Sequence, residues 1–186
     1  MTGPLVTHSE RVFSVQNLLS PSECDELILL AEQQGFSAAG VRTANGQKPM
    51  PLVRNNARAM FEAPSWIAQI WSRLAAMPLP SLESQIPAGL PKDLRFYKYT
   101  PDQRFKMHKD GPWHEGGLTS KLTLLVYLNE GFSGGRTVFR EFEVMPRTGA
   151  ALLFIHGTWH EGAAVTDGAK YVLRSDVLYR AEPESR

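Results

Sequence analysis

The tripeptide His108-Lys109-Asp110 joins two side-chain types that bind divalent transition metals. On an extended segment, residues two apart project from one face, so imidazole and carboxylate converge while Lys109 points away. Attachment at three points needs another ligand, and four histidines remain as candidates: His8, His114, His156 and His160. Two imidazoles and one carboxylate make the facial set of non-haem Fe(II) oxygenases, which leaves coordination positions open for substrate and O2. H-x-D alone carries little weight, because it arises often by chance.

Further residues add to it. Trp159-His160 comes just after the apolar run Ala150–Ile155, at a strand–turn boundary, and Lys170 opens the run Lys170-Tyr171-Val172-Leu173-Arg174. A cation at the head of an apolar strand is costly to bury unless an anion meets it. Tyr99 and Tyr127 lie in β-prone runs from which their hydroxyls can face a shared interior. A metal set, a cation and two phenols describe a site for an anionic ligand that also chelates iron.

These groups need a frame. Ser20-Pro21-Ser22-Glu23 reads as a helix start, with Ser20 as N-cap and Glu23 reaching back; Cys24, Leu27, Ile28 and Ala31 follow at helical spacing, and Gly35 stops the helix. A second helix is expected from Pro64 to about Ala76, with Trp66 and Trp71 in the core. Residues 36–62 read as loop and short strand, and the four-proline run Met77–Pro91 as a connector. Beyond Leu94, β-prone runs alternate with turns: Leu94–Tyr99, Leu122–Leu128, Arg136–Phe139, Ala150–Ile155 and Lys170–Tyr179, with weaker candidates at Arg104–His108, Glu141–Met145 and Gly162–Val165. About eight closely spaced strands suggest an antiparallel barrel or jelly roll, here with helices on the outside, an α+β class.

Composition narrows the alternatives. The 186 residues carry 20 Lys+Arg against 19 Asp+Glu and are 42% hydrophobic, which fits one globular domain and not a disordered chain. The expected division is residues 1–91 as helical lead-in and connector and 92–181 as the core. The lone Cys24 excludes an internal disulfide and any Cys-rich metal centre, so a metal must rest on His and carboxylate. No run reaches the roughly 18 apolar residues of a membrane span, and Met1–Val15 has no export pattern. A cytoplasmic location without a membrane partner is expected, and a net charge of +1 disfavours nucleic acid. Residues 92–109 nevertheless hold six basic and two acidic residues, a net of +4 beside H-x-D. That stretch is either a solvated strand face or a rim attracting an acidic substrate.

Ordered motifs then carry a resemblance. Tyr99-Thr-Pro-Asp-Gln-Arg-Phe-Lys-Met-His108-Lys-Asp110 is followed by Leu124-Leu-Val-Tyr127-Leu-Asn129, Gly134-Gly-Arg-Thr-Val-Phe139, Pro146 to Phe154, and His160-Glu-Gly with Lys170-Tyr171. Over about residues 94–179, and in the helix opening Leu-Ser-Pro-Ser-Glu-Cys, the chain resembles the prolyl 4-hydroxylase-like branch of Fe(II)/2-oxoglutarate-dependent dioxygenases. The resemblance implies a double-stranded β-helix, a jelly-roll core flanked by N-terminal helices. It implies His108, Asp110 and His160 as catalytic iron ligands, and Lys170 as the cation for the distal carboxylate of 2-oxoglutarate. Tyr127 would bond that carboxylate, and Tyr99 would line the cosubstrate pocket. Three departures stand out: Arg136 in Gly-Gly-Arg-Thr, Asp102 in Tyr-Thr-Pro-Asp, and Arg174-Ser-Asp176 where a small residue and then tryptophan would be expected. Lys170, Val172, Arg174 and Asp176 share a strand face, so Arg174 is a second candidate for the cosubstrate carboxylate.

The activity implied is hydroxylation of an aliphatic C–H of a protein or peptide residue, proline first, coupled to conversion of 2-oxoglutarate and O2 to succinate and CO2, with ascorbate a candidate reductant. Hydroxylation of a free amino acid or other small metabolite is the alternative, and a cupin-like metal-binding or sensing module without turnover is another. Among remaining residues, Arg54 and Trp113 are substrate-contact candidates, His114 reads as a loop residue, His156 as a turn residue, and His8 as part of a mobile terminus. Substrate identity and oligomeric state are not legible at this level.

Overall fold

The computed structural model describes residues 2–43 and 46–182. Strands β1 (Leu5–Ser9) and β2 (Val12–Val15) precede helix α1 (Pro21–Gln34), followed by β3 (Ser37–Ala38), β4 (Val41–Thr43), β5 (Gly46–Lys48) and β6 (Ala57–Glu62). Helix α2 (Pro64–Ala75) leads to β7 (Gln85–Gly89), β8 (Asp93–Tyr99), β9 (Phe105–His108) and β10 (His114–Glu115). The remaining strands are β11 (Leu118–Tyr127), β12 (Phe132–Gly134), β13 (Thr137–Phe139), β14 (Glu143–Val144), β15 (Ala151–Ile155), β16 (His160–Gly162), β17 (Val165–Gly168) and β18 (Lys170–Ala181).

The long sheet runs β1-β2-β15-β11-β18-β8-β6-β3, with β10 added to β11 and β7 to β18, and a four-stranded sheet runs β14-β13-β16-β9. Among the described residues the pairings between named strands are antiparallel. The result is the expected jelly roll with two helices. Alternation along the central strands sorts their side chains. Leu124, Val126, Leu173, Val177, Leu94 and Phe96 share one apolar cluster with Cys24, Leu27, Ile70 and Leu74 of the helices. The neighbours that point the other way, Tyr97, Tyr99, Tyr127 and Val172, join Phe139 and Phe154 in a second cluster. That second face carries the site.

The helix start at Ser20 is a reciprocal capping box: the Glu23 amide donates to the Ser20 hydroxyl, and the Ser20 amide donates to the Glu23 carboxylate. Glu23 also receives Arg73 of α2 through both Nη atoms, at 2.9 and 2.7 Å, which ties the two helices together. Trp66 and Trp71 are half-buried against the helix-side core rather than within it. Their helix lies on the outside of the sheet, so one edge of each ring remains in solvent.

Four expectations change. Residues 5–15 form a hairpin on β15 and not a mobile terminus, and His8 bonds Ser14 from within β1. The lead-in of residues 1–91 therefore supplies β1 and β2 as well as helices, and the short strand expected within 36–62 is found as β6 beside β8. The proline-rich connector contains β7; β18 is the one named strand it pairs with among the described residues, which makes it an edge strand, where Pro87 is tolerated. Gly162–Val165 is not one strand, because the Ala163 amide and Ala164 carbonyl bond the 135–136 turn and separate β16 from β17.

Ser20→Ala removes the cap and is expected to lower the melting temperature by roughly 2–4 °C, for a loss of about 1 kcal/mol. The Arg73 hydrogen bond holds the Glu23 carboxyl down at about 2 against an ordinary 4.5. A depressed carboxyl stabilises fully above its unfolded value and loses that contribution as pH falls toward its folded one. In thermal melts, the gap between wild type and Glu23→Gln should therefore narrow between pH 4.5 and 2.

Candidate metal and cosubstrate site

Strands β9 and β16 pair so that His108 and His160 are register partners, with ring centroids 4.2 Å apart. Each ring is fixed from behind by a carbonyl: Nδ1 of His108 lies 2.7 Å from the Lys106 oxygen, and Nδ1 of His160 lies 3.0 Å from that of Thr158. A carbonyl only accepts, so each Nδ1 carries a proton, and in the neutral ring Nε2 is the nitrogen with the lone pair. These Nε2 atoms stand 3.6 and 3.7 Å from the two Asp110 oxygens. One donor atom from each of the three residues lies within 4.8 Å of the other two.

Charge state completes the fit. Burial opposes ionisation of Asp110, but Arg174, His108 and His160 hold its carboxyl well below the usual range. Burial pushes His160 down to about 4. At neutral pH the cluster thus contains a carboxylate and a neutral imidazole, the protonation states that a divalent cation requires. Three converging electron pairs of two nitrogens and an oxygen suit a transition metal.

Behind Asp110 is a buried ionic network. Thr123 Oγ1 donates to Asp110 Oδ2 at 2.7 Å, and Arg174 Nη2 approaches the same oxygen at 3.3 Å. Arg174 Nη1 and Arg95 Nη2 both reach Asp176 Oδ2, at 2.6 and 2.5 Å. Burial alone would lower the Arg174 guanidinium, yet Asp176 and then Asp110 raise it above its ordinary value. His156 has a turn backbone, as expected, but its side chain belongs to this network: it bonds Ser120 and Thr123 and lies 3.6 Å from Asp176 Oδ1. It faces Asp176 and not the donor cluster, so His160 is the histidine that meets His108 and Asp110. His114 is exposed on β10 and bonds Thr119.

Lys170 presents the opposite situation. It is buried, it donates to the Gly135 carbonyl at 2.5 Å, and among the described residues no carboxylate pairs with it. The rings of Tyr99 and Tyr127 lie 5.2 and 5.6 Å from its ammonium. Burial pushes the amine down to about 7. Gly135 is required for this packing: its φ is +65°, and a Cβ there would come within 3.1 Å of Lys170 Cδ and 2.9 Å of the Phe132 ring. The Tyr127 hydroxyl bonds Thr137 Oγ1 at 2.7 Å, so Thr137 lines the cavity and Tyr127 stands behind it.

These groups line one cavity of about 740 Å³, together with Tyr99, Arg54 and Trp113. Of the two candidate cations on β18, Arg174 is engaged by two carboxylates and Lys170 by none. The basic stretch 92–109 is not a uniform rim, because Lys92, Arg95 and Lys98 pair with Glu62, Asp176 and Glu32 from other elements. Lys109 turns toward the Trp159 ring, 4.9 Å away. Thr123, Arg95 and the His156 side chain escape sequence reading. Only Thr123 leaves a trace, as the one polar residue within the run Leu122–Leu128 before Tyr127.

Residues 94–175 match the model of the 2OG-Fe(II) oxygenase superfamily. A protein of Acanthamoeba polyphaga mimivirus, provisionally named a prolyl 4-hydroxylase, is 27% identical over 86% of this chain and 71% of its own. Among solved structures, the viral collagen prolyl hydroxylase of Paramecium bursaria Chlorella virus-1, in complex with 2-oxoglutarate, superposes with a TM-score of 0.68 at 22% identity, covering 93% of this chain and 98% of that one. A Trichoplax adhaerens prolyl hydroxylase bound to a hypoxia-inducible-factor peptide fragment gives 0.70 at 17% identity, covering 91% and 84%. Over residues 94–175 the chain matches the 2OG-Fe(II) oxygenases, a family of oxidoreductases. Its similarity within that family is to prolyl 4-hydroxylase-like members.

A buried amine whose folded value is depressed opposes folding at neutral pH, and that opposition fades as pH rises from 7 toward 10.5. Lys170→Met should therefore raise the melting temperature at pH 7, with each kcal/mol worth roughly 2–4 °C. The advantage over wild type should shrink by pH 10 in parallel melts.

Proposed function

We propose that the protein hydroxylates an aliphatic C–H of a protein or peptide residue, with proline the first candidate, coupled to conversion of 2-oxoglutarate to succinate and CO2. One observation carries the reading: a two-histidine, one-carboxylate donor cluster and an unpaired buried lysine share a single cavity. His108, Asp110 and His160 would hold Fe(II), which when bound supplies the redox chemistry that activates O2. The backbone carbonyls of Lys106 and Thr158 keep both Nε2 lone pairs aimed inward, and Thr123 and Arg174 hold Asp110 Oδ2 in place. Lys170 would take the distal carboxylate of 2-oxoglutarate, with Tyr99 as a wall and Thr137, backed by Tyr127, as a hydroxyl neighbour. Ascorbate is the proposed reductant when turnover is uncoupled.

The peptide preference is supported by the peptide-bound relative, and a free amino acid is the alternative occupant of the same cavity. Mass spectrometry for a +16 product in peptide and amino-acid pools, with and without 2-oxoglutarate, separates the two. His108→Ala and Asp110→Ala should each abolish succinate formation, and full turnover in either contradicts the reading. An anion is received best by an ammonium, so binding of 2-oxoglutarate should protonate Lys170. Its affinity, measured by calorimetry with a redox-inert divalent metal, should weaken as pH rises above about 7. A flat profile contradicts the Lys170 assignment.

A further inference from the structure

Arg54 sits outside the basic stretch, in the connection before β6, where a bridge to Phe105 draws it against β9. It is only 6% exposed. Its guanidinium is held between two rings, 4.3 Å from the centre of Tyr97 and 4.5 Å from that of Phe105. Phe105 in turn stacks on His108 with centroids 3.5 Å apart, so one aromatic ring separates the guanidinium from the donor cluster. Nε donates to Asn56 Oδ1 at 2.8 Å, and Nη1 approaches the Gly40 carbonyl at 3.4 Å. Nη2 is buried and has no hydrogen-bond partner, and among the described residues no carboxylate pairs with Arg54.

A guanidinium cannot shed its charge, so burial without an anion leaves an uncompensated cation and an unused donor. The stacking rings fix the plane of the fork, and a planar fork of fixed orientation suits a planar carboxylate. Of the other cations of the cavity, Arg95 and Arg174 serve Asp176 and Asp110, Lys109 lies over the Trp159 ring, Arg58 is only half-buried, and Lys170 has the cosubstrate role assigned above. The field near Arg54 is strongly positive: burial alone would raise the Tyr97 phenol, but Arg54, Arg174 and Arg95 together hold it below its ordinary value. Tyr97 and Tyr99 are two residues apart on β8, with Lys170 opposite Tyr99 and Val172 opposite Tyr97. Arg54 therefore lies a strand step away from the Lys170 end of the cavity.

We propose that Arg54 anchors a carboxylate of the substrate, so that the enzyme oxidises a C–H bond in a molecule bearing that carboxylate close to the reacting carbon. The proposal rests on the hydroxylase reading above and adds the substrate's charge to it. The carboxylate can belong to an acidic side chain beside the oxidised residue of a peptide, or to the terminal carboxyl of a free amino acid or chain end.

The test is calorimetry on protein loaded with Mn(II) and 2-oxoglutarate, which binds but does not turn over. Two matched pairs serve as probes: N-acetylproline against its amide, and acetyl-Asp-Pro-amide against acetyl-Asn-Pro-amide. In at least one pair the carboxylate should bind about tenfold or more tightly than its neutral twin, as a charge-assisted hydrogen bond implies. The pair that discriminates identifies the source. The preference should vanish in Arg54→Met and persist in part in Arg54→Lys, which retains a cation. Equal affinities in both pairs, or a preference that survives Arg54→Met, overturn the proposal. So does a loss of 2-oxoglutarate affinity in Arg54→Met as large as the loss for the carboxylate probe, because Arg54 would then serve the cosubstrate. Succinate formation by the wild-type Fe(II) enzyme judges the hydroxylase reading separately. If it is absent that reading fails, while the binding ratios still decide whether Arg54 receives a carboxylate.

Discussion

Arg174 lies between two carboxylates and helps to keep the Asp110 carboxyl ionised where it lines the cavity. One Nη approaches Asp110 and the other bonds Asp176, whose second cation is Arg95. Burial opposes ionisation of Asp110, and Arg174 is the largest of the groups that offset it, ahead of His108 and His160; a protonated Asp110 would offer a metal one donor fewer. Asp176 is the shared anchor: removing it leaves Arg95 without its carboxylate and Arg174 with only the longer contact to Asp110. A device that elsewhere brings little net stability here sets the charge of a ligand.

The sheet makes that device possible through alternation. On β18, Lys170, Val172, Arg174 and Asp176 face inward opposite Tyr99, Tyr97 and Arg95 of β8 and Tyr127, Leu125 and Thr123 of β11. The intervening Leu173, Ser175 and Val177 face outward and are buried; the two apolar residues join the helix-side core. One strand thus serves both the hydrophobic core and the site, and a one-residue slip would exchange the two sets. The second sheet supplies the histidines through a single register, His108 against His160. The site forms where the inner faces of these two sheets meet.

What could be read in the sequence was local. The capping box at Ser20, the inward face of β18 and the H-x-D pair are each written within a few neighbouring residues, and the structure has them as read. What could not be read depends on partners distant along the chain. The net +4 of residues 92–109 looks like an exposed rim until Glu62, Asp176 and Glu32 arrive from other elements to neutralise half of its cations. His156 has the backbone of a turn residue, and only the approach of Thr123 and Asp176 gives its ring a place in the network. Arg54 is similar in kind: a polar stretch gives no sign that its guanidinium will be enclosed between two rings.

Among the described residues, the two buried cations that no carboxylate pairs with, Lys170 and Arg54, share the cavity with one cluster of lone pairs. Their charges ask for two anions and a metal, which fits a 2OG-Fe(II) oxygenase acting on a charged substrate. The claim on which the rest depends is that His108, Asp110 and His160 form the metal site and that His156 does not. Anaerobic titration of the metal-free protein with Fe(II), with bound metal counted at equilibrium, tests it directly. The account predicts one tightly bound Fe(II) per chain in wild type and in His156→Ala, and none in His160→Ala. Stoichiometric binding that survives in His160→Ala would contradict it.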